Sequence, residues 1–405
     1  MTNWNAVRDA VYKNPAVTYL NAGSISITPK VVYEQACQLR EVMHGNPVDY
    51  VWRTSGEPLW KARCRLAQFV GTTPERLILA QNVSQAINFI TTSLKLPAGS
   101  EVLTTDHEYL AMRWSWERAT ERQNVNIRTV QLPIYPQSPD ELTQAIVRAF
   151  TPQTKLLFIS HILYTTGMIL PLKAICAAAS KLGIITVIDG AHGPGMIPLE
   201  LDDLGADFYA TNLHKWFMSP NGAGFLYVKP GREELIAPWQ VSWGYKYDKS
   251  KAHEVGEYGS TYWQRSFEFE GTRDITPWLT IGTGADFLDG IGKDVIRQRH
   301  HELSSLVREK FSGLEGLELV TPNHPELRGG LTAFRMPKGV DGHKARQYLW
   351  DKYRIEINMV PHPDGPYFRL STHVYNTPEE IDRLASLVPE AFAIAGVPAS
   401  AGSGK

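Results

Sequence analysis

The sequence is poor in the features that mark several broad classes of protein. Only three of its 405 residues are cysteine, namely Cys37, Cys64 and Cys176, and their odd number and wide spacing favour reduced thiols over a disulfide framework. The formal net charge is −1, so no charge excess predicts binding to nucleic acid or to an anionic membrane. Apolar runs of transmembrane length are missing, and residues 1–15 have no signal-peptide pattern. We therefore expect a cytoplasmic protein with no nucleic-acid and no membrane partner.

Nucleotide-binding motifs are missing as well. Gly282-Thr283-Gly284 is followed by Phe287 where a dinucleotide-binding loop needs glycine, and the sequence has no G-x-x-x-x-G-K-[ST] run. These absences argue against an enzyme that uses a nicotinamide or a nucleotide. We also predict no metal site.

The most informative stretch runs from Ile184 to Val228. Its first half is an apolar, β-branched run that ends in Asp189, as expected of a buried parallel strand that delivers a carboxylate to the ligand-binding edge of an open α/β sheet. A second short strand leads into Lys215. An acid and a lysine at the ends of successive strands suit a pyridoxal phosphate (PLP) enzyme. In such an enzyme the lysine holds the aldehyde as a Schiff base, and the acid keeps the pyridine nitrogen protonated.

The motifs around these two residues resemble those of a known family. Asp189-Gly190-Ala191-His192, then His214-Lys215-Trp216, then the turn at 219–222 resemble fold-type I PLP enzymes of the class V aminotransferase and cysteine desulfurase superfamily, specifically its isopenicillin N epimerase-like branch. The resemblance implies an α/β fold: a large domain with a mostly parallel seven-stranded sheet, and a smaller α+β C-terminal domain. It is weakest over 231–269, where clustered aromatic residues suit either a substrate pocket or a subunit interface.

The expected organisation has four parts. They are an N-terminal segment (1–16) that packs with the small domain, a large PLP-binding domain (17–276), a small domain (277–398) and a flexible tail (399–405). Beyond the central stretch, we predict strands at 77–80, 101–105, 127–132 and 155–160, and helices at 1–14, 29–44, 58–70, 139–150, 172–182, 285–313, 342–352 and 378–394. Residues 46–55 are predicted to be a loop.

The resemblance also implies roles around the cofactor. Lys215 forms the Schiff base, Asp189 faces the pyridine nitrogen, and His192 lies against the ring and its O3′ oxygen. The phosphate is expected at the first turn of a helix, where free amides attract anions, although a plain serine N-cap would explain Ser84 equally simply. His161 stands where desulfurases carry an asparagine. The cofactor-binding set is Lys215, Asp189, His192, His214, Val83, Ser84, Gln85, His107, His161, Asn212 and Thr272.

The family pattern places an aromatic ring or an imidazole on the exposed face of the cofactor. His107 takes that position, with Tyr109 close behind, and either could move protons on the face away from Lys215. A histidine that caps the next helix is the alternative for His107. Arg369 is expected to hold the α-carboxylate of the substrate as a bidentate clamp. The other substrate-binding candidates are Asn21, Ala22, Gly23 and Arg53, with a plain N-terminal turn as the alternative for the first three.

The resemblance predicts a homodimer with composite sites, because Thr272 matches a residue that reaches the partner's cofactor phosphate. The substrate is expected to be an amino acid attacked at its α-carbon. Epimerisation, C–S β-lysis of a cysteine conjugate or sulfoxide, and transamination use the same main residues. The need for a second proton carrier favours epimerisation slightly. A non-catalytic PLP-binding protein would have no use for Lys215, Asp189 and Arg369 together.

We also predict that the protein is not a cysteine desulfurase. That reaction uses a mobile cysteine nucleophile, usually on a loop of the C-terminal domain. The segment Ile357 to Pro366 contains no thiol, and the three cysteines fall in predicted helices elsewhere.

Overall fold

A computed structural model of the chain describes residues 2–396. Within that part, no helix is both long enough and apolar enough to cross a membrane. The predicted tail (399–405) and the last residues of the predicted small domain lie outside the described residues.

Strands and helices alternate through the first half of the chain. The strands are β1 (Thr18–Tyr19), β2 (Leu77–Ala80), β3 (Glu101–Thr105), β4 (Asn126–Val130), β5 (Thr154–Ser160), β6 (Ile185–Asp189), β7 (Phe208–Asn212), β8 (Gly224–Val228), β9 (Glu318–Leu319), β10 (Leu331–Arg335), β11 (Ile355–Glu356), β12 (Asn358–Val360) and β13 (Tyr367–Ser371). The helices are α1 (Trp4–Asp9), α2 (Lys30–Gly45), α3 (Pro47–Asp49), α4 (Gly56–Val70), α5 (Val83–Ser93), α6 (Leu110–Glu121), α7 (Pro139–Val147), α8 (Leu172–Lys181), α9 (Leu201–Leu204), α10 (Tyr262–Glu268), α11 (Thr276–Leu279), α12 (Ile281–Ile291), α13 (Lys293–Phe311), α14 (Gly342–Tyr353) and α15 (Pro378–Ala395).

The central sheet has seven strands in the order β2-β8-β7-β6-β5-β3-β4. Neighbours pair in parallel except β8, which is antiparallel to both β2 and β7, so the predicted mostly parallel α/β sheet is confirmed. Both faces are covered, which explains the continuous apolar strands. In β5, for example, Leu156 and Phe158 belong to one hydrophobic cluster, and Leu157 and Ile159 belong to another.

A smaller antiparallel sheet lies in the C-terminal part, with the strand order β12-β13-β10-β9. It shares a hydrophobic cluster with α13, α14 and α15, in agreement with the predicted α+β arrangement. The N-terminal segment contacts this part, since Arg8 and Lys13 both form ion pairs with Glu380 at 3.0 and 2.5 Å. The pairing of β1 with β11 extends that contact to Thr18 and Tyr19. The domain boundaries themselves stay predictions.

Three predicted elements differ from the structure. The single helix over 285–313 is wrong: the chain forms α12 and α13, separated at Gly292, whose φ of +98° no helix accommodates. The loop predicted at 46–55 is instead helical, with Pro47 at the first position of α3 and a π-turn at Tyr50–Thr54. The first helix is also shorter than predicted, because the chain turns after Ala10 and Val11 pairs with Pro29.

Candidate active site

The ends of β6 and β7 bring the acid and the lysine together. Asp189 ends β6 in register with Ser160 on β5 and Ala210 on β7, and Lys215 follows β7 by three residues. Gly190 is needed here because a Cβ at this position would lie 2.0 Å from the ring of Tyr209. The sequence Asp-Gly-Ala-His therefore lets the chain pass over an aromatic ring immediately after the carboxylate.

Lys215 lies in a buried polar setting. Its Nζ is 3.3 Å from His192 Nε2, and the other ring nitrogen of His192 accepts a hydrogen bond of 3.0 Å from Trp216 Nε1. Burial lowers the pKa of Lys215 to about 8, with Asp189 opposing the shift and Arg369 adding to it. Burial raises the pKa of Asp189, whose Oδ1 accepts from the amide of Ala191 at 2.9 Å. Near neutral pH, a larger fraction of Lys215 is therefore free amine than for an ordinary lysine.

Arg369 is a buried cation with no carboxylate among its recorded partners in residues 2–396. Its guanidinium donates to Tyr164 O at 2.7 Å and to Ser24 Oγ at 3.3 Å, and its Nε has no partner in that part of the chain. The residue is 2% exposed, and burial lowers its pKa to about 10. A buried charge without a counter-charge is costly, so this arrangement suits an anion that arrives with a ligand.

The N-terminus of α5 offers a second anion-binding feature. Asn82 caps the helix by accepting from the amide of Gln85 at 3.0 Å, and the amide of Val83 donates to Asn212 Oδ1 at 2.9 Å. The cap is therefore Asn82, and the simple explanation of Ser84 as the N-cap is wrong. Ser84, in the first turn, lines the cavity described next. Its position beside the positive end of the helix dipole suits a phosphate.

A cavity of about 680 Å³ joins these features. The predicted site residues that line it are Gly23, Val83, Ser84, Tyr109, Asp189, His192, Asn212, His214, Lys215 and Arg369. Burial and the nearby Lys215 lower the pKa of His214 to about 4, and its buried Nδ1 has no partner within residues 2–396. The cavity therefore combines an amine, a carboxylate, a guanidinium and a helix N-terminus.

Other predicted site residues are not part of this lining. The ring of His107 stacks on that of His362 at 4.8 Å, and its Nδ1 contacts Thr165 Oγ1 at 2.7 Å. His161 contacts the hydroxyl of Tyr209 at 3.0 Å, behind the cavity. Neither histidine lines the cavity, and the cofactor roles predicted for both stay predictions.

The remaining five lie at the edges or farther away. Asn21 donates to Glu356 Oε1 at 3.1 Å. Ala22 is fully buried, and its backbone N–H donates a hydrogen bond to Ser371 O in the C-terminal sheet. The side chain of Arg53 is 67% exposed and pairs with Asp49, while that of Gln85 donates to Glu270. Thr272 lines a different, small cavity.

The structure adds residues that sequence reasoning missed. Tyr164 and Trp114 line the cavity, and the ring of Tyr164 meets that of Tyr109 edge-on at 5.3 Å. Ser24 connects the N-terminal turn to Arg369. Tyr164 follows a buried strand and Ser24 follows the proposed pocket turn, so position alone could have indicated both.

A buried carboxyl also approaches the cavity. Glu108 is 7% exposed and accepts hydrogen bonds from Thr105 at 2.6 Å and from Ser160, which lines the cavity, at 2.5 Å. Burial raises its pKa to about 7, and the neighbouring Asp189 adds to the shift. Glu108 is therefore a titrating acid close to the carboxylate of Asp189.

The lining residues fit PLP. The carboxylate of Asp189 suits a protonated pyridine nitrogen, Lys215 suits the aldehyde, and Ser84 with the free Nδ1 of His214 suits a phosphate. Arg369 remains available for the carboxylate of an amino acid.

Comparisons with known proteins agree with this fit. The family model described as "Aminotransferase class-V" matches residues 18–384. The chain is 44% identical over 393 residues to an isopenicillin N epimerase of Amycolatopsis lactamdurans, covering 96% of this chain and 98% of that protein. It is 42% identical over 387 residues to an isopenicillin N epimerase of Streptomyces clavuligerus, covering 95% and 97%.

A solved structure supports the fold. The apo cysteine desulfurase of Thermococcus onnurineus NA1 superposes with a TM-score of 0.82 at 21% identity, covering 97% of this chain and 99% of that chain. The family match and the two relatives show the family of the chain as well as its fold. The chain belongs to the class V aminotransferase family of PLP-dependent enzymes.

Proposed function

We propose that this protein epimerises the α-carbon of an amino acid, with isopenicillin N as the substrate to test first. The observation that carries the proposal is the identity of 42–44%, over nearly the full length, with two proteins named as isopenicillin N epimerases. The cavity supports it, since Lys215 and two tyrosines, Tyr109 and Tyr164, line the same space. An epimerase needs two proton carriers, because the proton leaves one face of the carbon and returns on the other.

Three of the lining residues then have defined tasks. Bound PLP supplies the electron-withdrawing ring that acidifies the α-proton of an attached amino acid. Arg369 binds the α-carboxylate through its guanidinium and so fixes the orientation of the α-carbon. Lys215 removes or returns the proton on its own face as a free amine, and Asp189 holds a proton on the pyridine nitrogen.

Tyr109 is our candidate for the second proton carrier. It lines the cavity with Tyr164, whereas His107 is buried against His362. The choice between His107 and Tyr109, which the sequence leaves open, therefore goes to Tyr109. Tyr164 is close enough to orient the Tyr109 ring through their edge contact.

The deciding experiment is incubation of the enzyme with isopenicillin N in D₂O. We expect inverted product that carries deuterium at the α-carbon, with no release of pyruvate or ammonia. Stoichiometric pyruvate and a sulfur fragment from a cysteine conjugate, without inversion of isopenicillin N, would favour the C–S lyase instead. Formation of a keto acid would favour transamination.

The desulfurase reaction remains excluded by our proposal. The loop after β12 contributes Pro361 to the cavity but carries no thiol. Cys176 is buried, and Cys37 and Cys64 lie on α2 and α4. A persulfide trapped on any of the three during cysteine turnover would contradict this part of the proposal.

We also propose a homodimer with composite sites. Thr272 lines a small cavity with Arg273 rather than the Lys215 cavity of its own chain, which is what a contact to a partner's phosphate requires. Exposed aromatic side chains at Trp239 and Trp243, 52% and 81% exposed, suit a subunit interface. Sedimentation should give twice the chain mass, and an active monomer would contradict the proposal. The cytoplasmic location also stays a prediction.

A further inference from the structure

Trp216 follows the lysine directly, and its indole is held in one orientation. The side chain is fully buried, stacks on His373 at 5.5 Å with an interplanar angle of 19°, and meets His300 edge-on at 5.2 Å. Behind it, a Cβ on Gly330 would lie 2.7 Å from the indole ring, so the backbone packs directly against it. The indole N–H therefore has one direction available, and it points to His192 Nδ1 at 3.0 Å.

This contact determines which nitrogen of His192 carries the proton. An indole nitrogen can only donate, so Nδ1 of His192 must accept and has no hydrogen of its own. His192 is 3% exposed, and its pKa is well below the ordinary value because of burial and the nearby Lys215, Arg369 and His214. The ring is therefore neutral, and its hydrogen lies on Nε2.

Nε2 is the atom that faces the lysine, 3.3 Å from Nζ. An ammonium group has only donors, so it would oppose an N–H at this distance, whereas a free amine can accept from it. The other charged groups that act on Lys215 are Asp189, which favours the ammonium form, and Arg369, which opposes it. The hydrogen on Nε2 acts in the same direction as Arg369 and opposes the ammonium form of Lys215.

We propose that Trp216 is a positioning residue: it fixes His192 as the Nε2–H tautomer, and this N–H favours the free-amine form of Lys215 over the ammonium form. The proposal rests on the proposed role of Lys215 as the lysine that binds PLP, because only the free amine has the lone pair that bonds to the aldehyde carbon. The single hydrogen bond between Trp216 and His192 thus links the His214-Lys215-Trp216 motif to the motif that ends in His192.

The test measures the proton affinity of Lys215 without cofactor or turnover. The full-length chain, freed of PLP, is treated with trace acetic anhydride across a pH series, and acetylation of Lys215 is followed by mass spectrometry. Wild type should show a midpoint near the pKa of about 8. In Trp216→Phe, Nδ1 is free to take the hydrogen, so Nε2 can accept from an ammonium. The midpoint should then rise by about one pH unit, a roughly tenfold drop in the free amine at pH values below the midpoint.

Two controls separate the tautomer from general packing. Trp116→Phe removes another buried indole, whose nitrogen has no partner in the described part of the chain, and should leave the midpoint unchanged. In a His192→Gln background, Trp216→Phe should give no further shift, because the amide can rotate to suit either form of the lysine. An unchanged midpoint in Trp216→Phe, or an equal shift in the His192→Gln background, would overturn the proposal.

A measurement on the unaltered protein covers the case in which Trp216→Phe does not fold. Spectra of the chain labelled with ¹⁵N-histidine should show His192 protonated at Nε2, and protonation at Nδ1 would overturn the proposal. Mapping the cofactor to a lysine other than Lys215 would instead contradict the proposed function and leave the tautomer assignment intact. The two failures are thus distinguishable.

Discussion

The cavity has two sides that differ in how they are built. The lysine side consists of Asp189 at the end of β6, with His192 and Lys215 beyond β6 and β7. Asp189 and His192 are buried, and Lys215 Nζ lies 3.3 Å from His192 Nε2. The tyrosine side consists of Tyr109 and Tyr164 from the connections after β3 and β5, and Tyr109 is 47% exposed. The lysine side has little freedom to move, which suits groups that take part in the reaction. The tyrosine side is open enough to adjust to different substrates.

The largest effect should come from the lysine side. Lys215→Ala removes both the cofactor attachment and one proton carrier, so we expect turnover to fall roughly 10⁴-fold. Borohydride reduction followed by peptide mapping should place the pyridoxyl group on Lys215 in wild type. Lys173→Ala is the control, since Lys173 is 69% exposed and pairs with Asp203 on the surface. A pyridoxyl group on any other lysine would refute the assignment.

The tyrosine side can be tested by comparing two neighbours. Tyr109→Phe keeps the ring but removes the hydroxyl, so epimerisation should fall by about 10²-fold while α-deuteration on the Lys215 face continues. His107→Gln should change the rate far less, because His107 is buried beside His362. Exchange and inversion measured together in D₂O separate the two steps. If His107→Gln had the larger effect on inversion, the assignment of the second proton carrier would be wrong.

The sequence revealed the lysine side much better than the tyrosine side. Asp189 and Lys215 stand at the ends of buried strands, and a strand's position fixes where its last residues point. Tyr164, Trp114 and Ser24 were missed because they lie on connections, whose course depends on distant contacts such as that between Arg369 and Tyr164 O.

The fold shows the same division. Continuous apolar strands of the central sheet were predicted within a few residues, since both faces are buried. The helical turn at 46–55 and the break at Gly292 were missed, because a π-turn and a positive φ have no strong signal in a single sequence. The cofactor-face role of His107 stays a prediction: Tyr109, two residues further along the same turn, lines the cavity instead.

Arg369 lies between the two sides and should give an intermediate effect. Arg369→Lys keeps the charge but loses the planar pair of donors, so KM for the amino acid should rise by about 10- to 100-fold, as expected for a lost charged hydrogen bond. The value of kcat should change less. Arg308→Lys is a matched control, since Arg308 is also buried and donates to the backbone carbonyls of Thr321 and Pro322. A rise in KM that Arg308→Lys reproduces would point to general destabilisation.

The last prediction concerns the stability of the fold and not turnover, and it rests on Glu108, which lies where the two sides meet. Its folded pKa of about 7 lies above the usual 4.5, so the folded state binds this proton more tightly than the unfolded state does. The free energy of unfolding should therefore fall by up to roughly 3 kcal/mol as the pH rises from about 4.5 to about 7. Above about pH 7 it should stay at the lower value. Glu108→Gln mimics the protonated acid, so it should be more stable than wild type at about pH 8 and similar at about pH 4.5.

Glu101→Gln is a control for this last prediction, because its expected change in stability at about pH 8 has the opposite sign. Burial opposes ionisation of Glu101, but hydrogen bonds from Arg128 and Thr154 outweigh it and hold its pKa below the usual range. Its stabilising contribution is present above the unfolded-state pKa and is lost as the pH falls through the lower folded value. Glu101→Gln should thus be less stable than wild type at about pH 8, where Glu108→Gln is more stable. Thermal unfolding of both variants at the two pH values checks the signs. A Glu108→Gln variant that is destabilised at about pH 8 would show that the charged carboxylate is needed between Thr105 and Ser160.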